Sequence, residues 1–303
     1  MIAVSNAGRV VFPEAGHTKG DVVAYYEAMA SRILPHVLDR PLTLRRYPKG
    51  ISAPGFFQKN VPAHYPASMG RIELPKRDGV TVHPIVREAE HLAFVANQGA
   101  IELHVPCARA SDLEHPDRIV MDLDPPEGAI DLARRGAHVV RREMDALGIA
   151  TVPVATGSKG YHVVAAIAPH VSAFEIAEAM QAFALLLTSK HPEIFTTVFR
   201  VAKRGGRIYC DWLRNVPGAT VVAPFSLRAR AFASVATPLT WSELDERAPD
   251  HFRLAQMKEL LDRSDPLFAL TETPSDPRPF VESVQRAAEA SGLVLERFDR
   301  FRS

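Results

Sequence analysis

The chain has 303 residues, 47% of them hydrophobic, with 36 Lys and Arg against 35 Asp and Glu and a formal net charge of +1. That length permits one large domain or two small ones, and the apolar fraction is enough for a sizeable core. No apolar run reaches membrane-spanning length, and the N-terminus lacks a basic region followed by an apolar core, so a soluble cytoplasmic protein is expected.

Near the N-terminus, Val10-Val11-Phe12 leads into a Pro-Glu-Ala-Gly turn. Thr18 reads as an N-cap with Asp21 in the capping-box position. A helix is expected from Lys19 to about Leu34, with Val22, Tyr25, Tyr26, Met29 and Ile33 as its apolar stripe. Lys19 on the first turn opposes the helix dipole unless it shares an anion with the free N–H groups. The helix start and Arg9 are therefore read either as a phosphate site or as two solvated surface cations. Residues 41–47 read as a strand. In the Gly/Pro-rich stretch that follows, the adjacent Phe56 and Phe57 cannot both face a core in regular structure. With Lys49 and Lys59 they form a base-stacking platform with phosphate contacts, or else they plug the end of a sheet. Two strands joined at Arg77-Asp78-Gly79 are expected over 71–86, a short helix over 88–97, and a strand over 101–105 that carries His104.

The stretch Arg118-Ile119-Val120-Met121-Asp122-Leu123-Asp124-Pro125-Pro126 organises the chain. Its apolar run suits a buried strand, and Pro125 cannot continue a ladder. Side chains alternate along a strand, so Asp122 and Asp124 leave on one face, their Cα atoms roughly 7 Å apart. Two carboxylates so close repel each other, and a divalent cation is the simplest compensation; the plainer reading is a strand end turning into solvent. A helix is expected over 130–147, stopped by Gly148, then a strand over 151–154. Ala155-Thr156-Gly157-Ser158-Lys159-Gly160-Tyr161-His162 places glycines, hydroxyls and an ammonium in one tight turn before another strand. It is either a phosphate cradle to which His162 adds a ring nitrogen, or a simple hairpin. It lacks the order G-x-x-x-x-G-K-S/T of the common nucleotide loop.

A helix is expected from 172 or 173 to 190. Arg204-Gly205-Gly206-Arg207 then precedes a strand over 208–213 in which Asp211 sits among large apolar residues. A buried carboxylate there needs a partner, and a metal shared with Asp122 and Asp124 would supply one. Arg228 and Arg230 follow, and helices are expected over 241–246, 251–262 and 279–290. Charge is uneven: residues 1–77 carry eleven Lys and Arg against five Asp and Glu (+6), residues 200–230 seven against one (+6), and residues 240–303 nine against thirteen (−4). This favours a localised polyanion-binding face over an evenly solvated surface. Cys107 and Cys210 have no metal-type spacing and read as buried free thiols. Three carboxylates on two strands, a phosphate cradle and several cations together fit two-metal nucleotidyl transfer.

Taken together, Asp122-Leu123-Asp124-Pro125, Thr156-Gly157-Ser158-Lys159-Gly160-Tyr161-His162 and Asp211-Trp212-Leu213-Arg214-Asn215 resemble motifs I, II and III of the archaeo-eukaryotic primase superfamily. The chain most resembles the polymerase domain of bacterial DNA ligase D. The flanking Thr18-Lys19-Gly20-Asp21, Arg40-Pro41-Leu42-Thr43, Phe56-Phe57-Gln58-Lys59 and Ala223-Pro224-Phe225-Ser226-Leu227-Arg228-Ala229-Arg230 agree with it, and the likeness runs in order over about residues 5–265. It implies an α/β (α+β) primase-like fold in one catalytic domain, with the active site between two modules. These are an N-terminal α/β module over 1–110, with the 5′-phosphate and template contacts, and a motif-bearing module with an RNA-recognition-like sheet over 111–265. A C-terminal helical extension follows over 266–303. It implies that Asp122, Asp124 and Asp211 are catalytic and bind two Mn²⁺ or Mg²⁺ ions. His104, Thr156, Ser158, Lys159, His162, Arg204 and Arg228 would bind the incoming nucleotide. Arg9, Lys19, Lys49, Phe56, Phe57 and Lys59 would contact DNA, with Arg9 and Lys19 on a 5′-phosphate.

The activity implied is a ribonucleotide-preferring, template-directed DNA/RNA polymerase that fills short gaps and extends ends in non-homologous end joining. Its partners would be gapped or broken DNA, NTP or dNTP, and as candidates a Ku-type protein and a DNA ligase, at a bacterial nucleoid. Departures from the expected pattern are Arg9 for lysine, Thr156 for serine, and Trp212 and Arg214 for tyrosine and glutamine. No ligase or nuclease motif appears, so a stand-alone polymerase or an excised domain is expected. Alternatives are a primase starting chains de novo, a non-catalytic DNA-end-binding module and a metal-dependent nuclease.

Overall fold

The computed structural model describes residues 2–76 and 79–295. In chain order the first elements are β1 (Val10–Phe12), β2 (His17–Thr18), α1 (Lys19–Ala28), α2 (Ala30–Val37), β3 (Thr43–Arg46), β4 (Phe56–Gln58), β5 (Gly70–Lys76), β6 (Gly79–Ile85), α3 (Ala89–Asn97) and β7 (Ala100–Val105). Then come β8 (Arg118–Asp124), α4 (Ile130–Asp145), β9 (Val152–Ala155), β10 (Tyr161–Ala166), α5 (Ala173–Lys190), β11 (Phe195–Thr196) and β12 (Ile208–Asp211). The chain ends with β13 (Val221–Val222), β14 (Thr237–Pro238), α6 (Trp241–Glu246), α7 (Met257–Asp262), α8 (Pro266–Thr271) and α9 (Arg278–Ala290). The turn expected at Arg77-Asp78-Gly79 falls on residues 77 and 78, outside the described residues. Among the described residues, no helix is long and apolar enough to cross a membrane.

The chain divides into two units. The first comprises Met1–Val105, Thr220–Thr237 and Asp250–Ser264; the second comprises Pro106–Ala219, Pro238–Pro249 and Asp265–Ser303. The first unit carries a four-stranded sheet in the order β13-β7-β3-β4. Its helix α1 begins as the capping signal dictates: Thr18 Oγ1 accepts from the Asp21 N–H, and the Asp21 carboxylate accepts from the Thr18 N–H at 2.7 Å. The expected single helix to Leu34 is instead two, interrupted at Met29, where ψ is 4°. The predicted stripe is buried all the same, from Val22 through Ile33. Tyr25 Oη donates to the Phe225 carbonyl at 2.8 Å, and Tyr26 Oη donates to the Ile101 carbonyl at 2.5 Å and accepts from the Leu227 N–H at 3.1 Å. Those buried bonds pull the late segment around Phe225 into the first unit, because a tyrosine hydroxyl taken from water must find a partner.

The second unit is built on a six-stranded sheet in the order β11-β12-β8-β10-β9-β14. The central β8 is buried from Arg118 through Met121 and at Leu123, with only Asp122 and Asp124 partly exposed. Helix α5 starts in a Ser172/Glu175 capping box. The C-terminal helices join this unit: Phe280 on α9 packs against Phe183 on α5 with ring centroids 5.8 Å apart. Cys107 and Cys210 are buried and form no disulfide.

Candidate active site

Strand pairing in the second unit assembles the carboxylates. In the antiparallel β12–β8 ladder Asp211 lies directly opposite Asp122, and in the β10–β8 ladder His162 lies opposite Asp122 from the other side. Asp124 follows two residues along β8 on the same face. Asp211 and His162, distant in sequence and on the two strands that flank β8, thus converge on Asp122.

The expected strand over 208–213 stops at Asp211. There the Asp211 carboxylate accepts from the Leu213 N–H at 3.2 Å and opens a 3₁₀ turn over Trp212–Asn215. Asn215 clamps that turn to β8: its Nδ2 donates to the carbonyls of Val120 and Trp212, and its Oδ1 accepts from the Val120 N–H at 2.8 Å. The turn carries Arg214 back over the carboxylates. Its guanidinium lies 3.1 Å from Asp122 Oδ2 and 2.8 Å from Asp211 Oδ2.

Asp124 has its own cations, Lys159 Nζ at 2.6 Å and Arg204 Nη1 at 2.5 Å. Burial alone would raise the Asp124 carboxyl, but these two cations hold it below the ordinary value. Asp211 goes the other way: burial pushes it up, Arg214 opposes that, and the neighbouring Asp122 adds to it. His162 Nε2 is 3.5 Å from Asp122 Oδ1. Among the described residues, no three His, Cys, Asp or Glu side chains are gathered as a ready metal cage. The carboxylates instead draw protein cations. The donor set still fits a hard divalent ion, since it offers only carboxylate oxygens, from two hydrogen-bonded strands, that already attract positive charge.

Lys159 sits at the tip of the β9–β10 hairpin, which pairs Tyr161 with Ala155. The Thr156 hydroxyl donates to the Gly160 carbonyl at 2.7 Å and accepts from the Ser158 N–H at 3.3 Å, so Thr156 shapes the turn while Ser158 and Lys159 stand at its tip. Gly157 adopts φ of 66°, a conformation glycine takes without strain, and its N–H donates to the Pro249 carbonyl at 2.8 Å. At Gly160 a Cβ would sit 2.1 Å from the Leu123 carbonyl oxygen, so no other residue lets β10 lie this close to β8.

The remaining predicted residues lie in the first unit. Lys19 is only 4% exposed, and its ammonium donates to the Ser5 carbonyl and Oγ, both at 2.7 Å. Burial, then the charge of Arg9, lowers its pKa. Two cations thus face each other at the α1 start. Phe56 and Phe57 are 48% and 59% exposed, on a strand rather than in a loop. Lys49 and Lys59 are exposed to either side of it, but the cations on the rings are others. Arg46 lies 5.6 Å over Phe56 and Arg45 lies 5.4 Å over Phe57, because the β3–β4 register sets each arginine opposite its ring.

Sequence reasoning missed Glu102. It is 1% exposed on β7 and accepts from His104 Nε2 at 3.0 Å and from the Ala229 N–H at 3.0 Å, with Arg228 Nε and Arg45 Nη1 each at 3.4 Å. Burial would raise this carboxyl, but His104, Arg228 and the Ala229 N–H bring it down to about 2. One carboxylate therefore orients His104 and Arg228, two of the predicted nucleotide contacts. The available signal was an acid two residues from His104 in an otherwise apolar strand.

Residues 18–268 match the family model of the LigD primase-polymerase domain. The chain belongs to that family. It is 34% identical over 271 residues to the multifunctional non-homologous end joining protein LigD of Mycolicibacterium smegmatis, which covers 88% of this chain and 36% of that protein. It is 31% identical over 238 residues to the bifunctional LigD of Bacillus subtilis, which covers 78% of this chain and 38% of that protein. The chain therefore spans little more than a third of the length of these relatives. The solved polymerase domain of Mycobacterium tuberculosis ligase D in complex with DNA matches with a TM-score of 0.84 at 32% identity, covering 90% of this chain and 99% of that one. The mixed α/β fold is that of the ligase D polymerase domain, and the family is one of nucleotidyltransferases.

Proposed function

We propose that this chain is a template-directed polymerase that adds nucleotides, ribonucleotides by preference, at short gaps and ends during non-homologous end joining. The observation that carries the reading is the register that sets Asp211 opposite Asp122, with Asp124 two residues on and Lys159 and Arg204 against it. Asp122, Asp124 and Asp211 would hold Mn²⁺ or Mg²⁺, two ions per site. Such ions supply Lewis-acid charge that makes a primer hydroxyl a better nucleophile and offsets the charge of a triphosphate.

The chain's own groups do the rest. The Lys159 ammonium and the Ser158 hydroxyl at the hairpin tip bind phosphate oxygens, with Thr156 holding the turn in shape. Arg204 and His162, already against the carboxylates, orient the same phosphates. In the first unit, Glu102 holds Arg228 and His104, the other nucleotide contacts of this reading, in fixed positions. Arg9 and Lys19 bind a 5′-phosphate, since two like charges near one another at a helix start gain most from an anion. Phe56 and Phe57, braced from one side by Arg46 and Arg45, stack on template bases. Lys49 and Lys59 contact the backbone. A Ku-type protein and a ligase activity complete the repair in this reading.

The test is primer extension on a one-nucleotide gap, with and without a 5′-phosphate, using ribo- and deoxyribonucleotides with Mn²⁺ or Mg²⁺. Wild type adds the templated nucleotide. Asp122→Ala loses about a hundred- to a thousandfold in rate, as removal of a charge-stabilising group does. Lys19→Ala is weakened only on the 5′-phosphorylated gap. Intact DNA binding with no addition under either metal would sink the polymerase reading in favour of an end-binding module. Dinucleotide synthesis without a primer would turn it toward a primase.

A further inference from the structure

The three carboxylates meet three protein cations, and the cations are not equivalent. Lys159 and Arg204 both serve Asp124. Among the described residues, Arg214 alone spans Asp122 and Asp211, the two carboxylates that face each other across the β8–β12 ladder. It does there what a divalent ion would do: it places positive charge between two acids that would otherwise repel. A guanidinium cannot lose its proton to get out of the way, so an incoming ion must displace it as a charged group. The backbone beneath it is pinned by Asn215 and by the Leu213 N–H on Asp211, so only the side chain can move. With 40% of that side chain exposed, it has solvent to move into. The same position carries arginine where the sequence pattern leads one to expect glutamine, which could not neutralise either acid.

We propose that Arg214 is a built-in counter-cation that lowers the affinity of the nucleotide-free carboxylates for divalent metal, so that metal loads with the nucleotide rather than ahead of it. The inference rests on the metal reading given above. An ion entering alone must replace two ion-pair contacts, at 3.1 and 2.8 Å, that the protein already makes. An ion entering with a triphosphate brings its own anionic oxygens, and these give Arg214 a new partner as it leaves the carboxylates.

The measurement is Mn²⁺ binding to nucleotide-free protein, followed by electron paramagnetic resonance of the free ion, for wild type, Arg214→Gln, Arg214→Lys and Asp122→Asn. Arg214→Gln should bind Mn²⁺ about tenfold more tightly than wild type, the equivalent of about 1.4 kcal/mol. Arg214→Lys, which keeps the charge, should stay near wild type, and Asp122→Asn should lose the site. Without metal, Arg214→Gln should melt below wild type, and saturating Mn²⁺ should raise its melting temperature by more than it raises that of wild type. If wild type shows Asp122-dependent Mn²⁺ binding but Arg214→Gln binds no more tightly, or Arg214→Lys matches Arg214→Gln, the counter-cation role is overturned while the metal reading stands. If neither wild type nor Arg214→Gln binds Mn²⁺ in a way that Asp122→Asn removes, the metal reading fails and the inference falls with it.

Discussion

Single side chains here owe their properties to what surrounds them, and Glu102 is the clearest case. It is a fully buried carboxylate kept ionised by four neighbours, with a pKa about 2 against an ordinary value of 4.5. Its folded pKa lies below the unfolded one, so its contribution to stability is complete above about 4.5 and is lost as pH falls through about 2. Melting temperature measured from pH 6 down to pH 2 should therefore fall more steeply for wild type than for Glu102→Gln. At pH 7, Glu102→Ala should cost about 3–5 kcal/mol in urea denaturation, because it leaves the Arg228 charge and the Ala229 N–H without their carboxylate. Equal stability of wild type and Glu102→Ala would show that the cluster is dispensable. Asp122 and Asp124 could be read from the sequence because a strand period of two puts them on one face. Glu102 stood two residues from His104, but its role was not legible because Arg45, Arg228 and the Ala229 N–H reach it from distant stretches of chain.

At the scale of elements, the hairpin of β9 and β10 shows how one backbone position governs a site. Strand β10 lies against β8 with Tyr161 opposite Leu123 and His162 opposite Asp122. That closeness at the hairpin end depends on Gly160, where a Cβ would fall 2.1 Å from the Leu123 carbonyl oxygen and 2.9 Å from Pro125 Cδ. Gly160→Ala should destabilise the protein by about 3 kcal/mol, the upper range for overpacking. It should also weaken nucleotide binding, measured by fluorescence titration, beyond what lost stability explains, because Lys159 moves with the turn. An unaltered nucleotide affinity would mean that the hairpin adapts without displacing Lys159. Most element boundaries followed from local signals such as the Thr18 and Ser172 caps. Others did not: the strand stops at Asp211, the first helix breaks at Met29, the helix expected from His251 starts only at Met257, and Phe56 and Phe57 lie on a strand. At Asp211 the winning contact is the carboxylate's own bond to Leu213 N–H, fixed in place by Asn215 on β8.

Over the whole molecule a formal net charge of +1 conceals two basic stretches and an acidic C-terminal one. If the cations are phosphate contacts, DNA affinity should fall steeply with salt despite the near-neutral total. Arg9→Ala and Lys19→Ala should each reduce the slope of log affinity against log salt by about 1 on 5′-phosphorylated DNA and leave it unchanged on DNA without the phosphate. A slope unaffected in both would remove these residues from the interface.

The sequence alone determined the shared face of Asp122 and Asp124, the tight turn between β9 and β10, the capped helices and the family, because each is written in neighbouring residues or in the order of motifs along the chain. Tertiary structure alone decided which charges meet. It returned residues 220–237 to the first unit through the buried hydroxyls of Tyr25 and Tyr26. It set Arg45 and Arg46 over the phenylalanines and brought Arg214 across Asp122 and Asp211. Those pairings depend on strand register and on where buried polar groups find partners, and neither is encoded in any one stretch of chain.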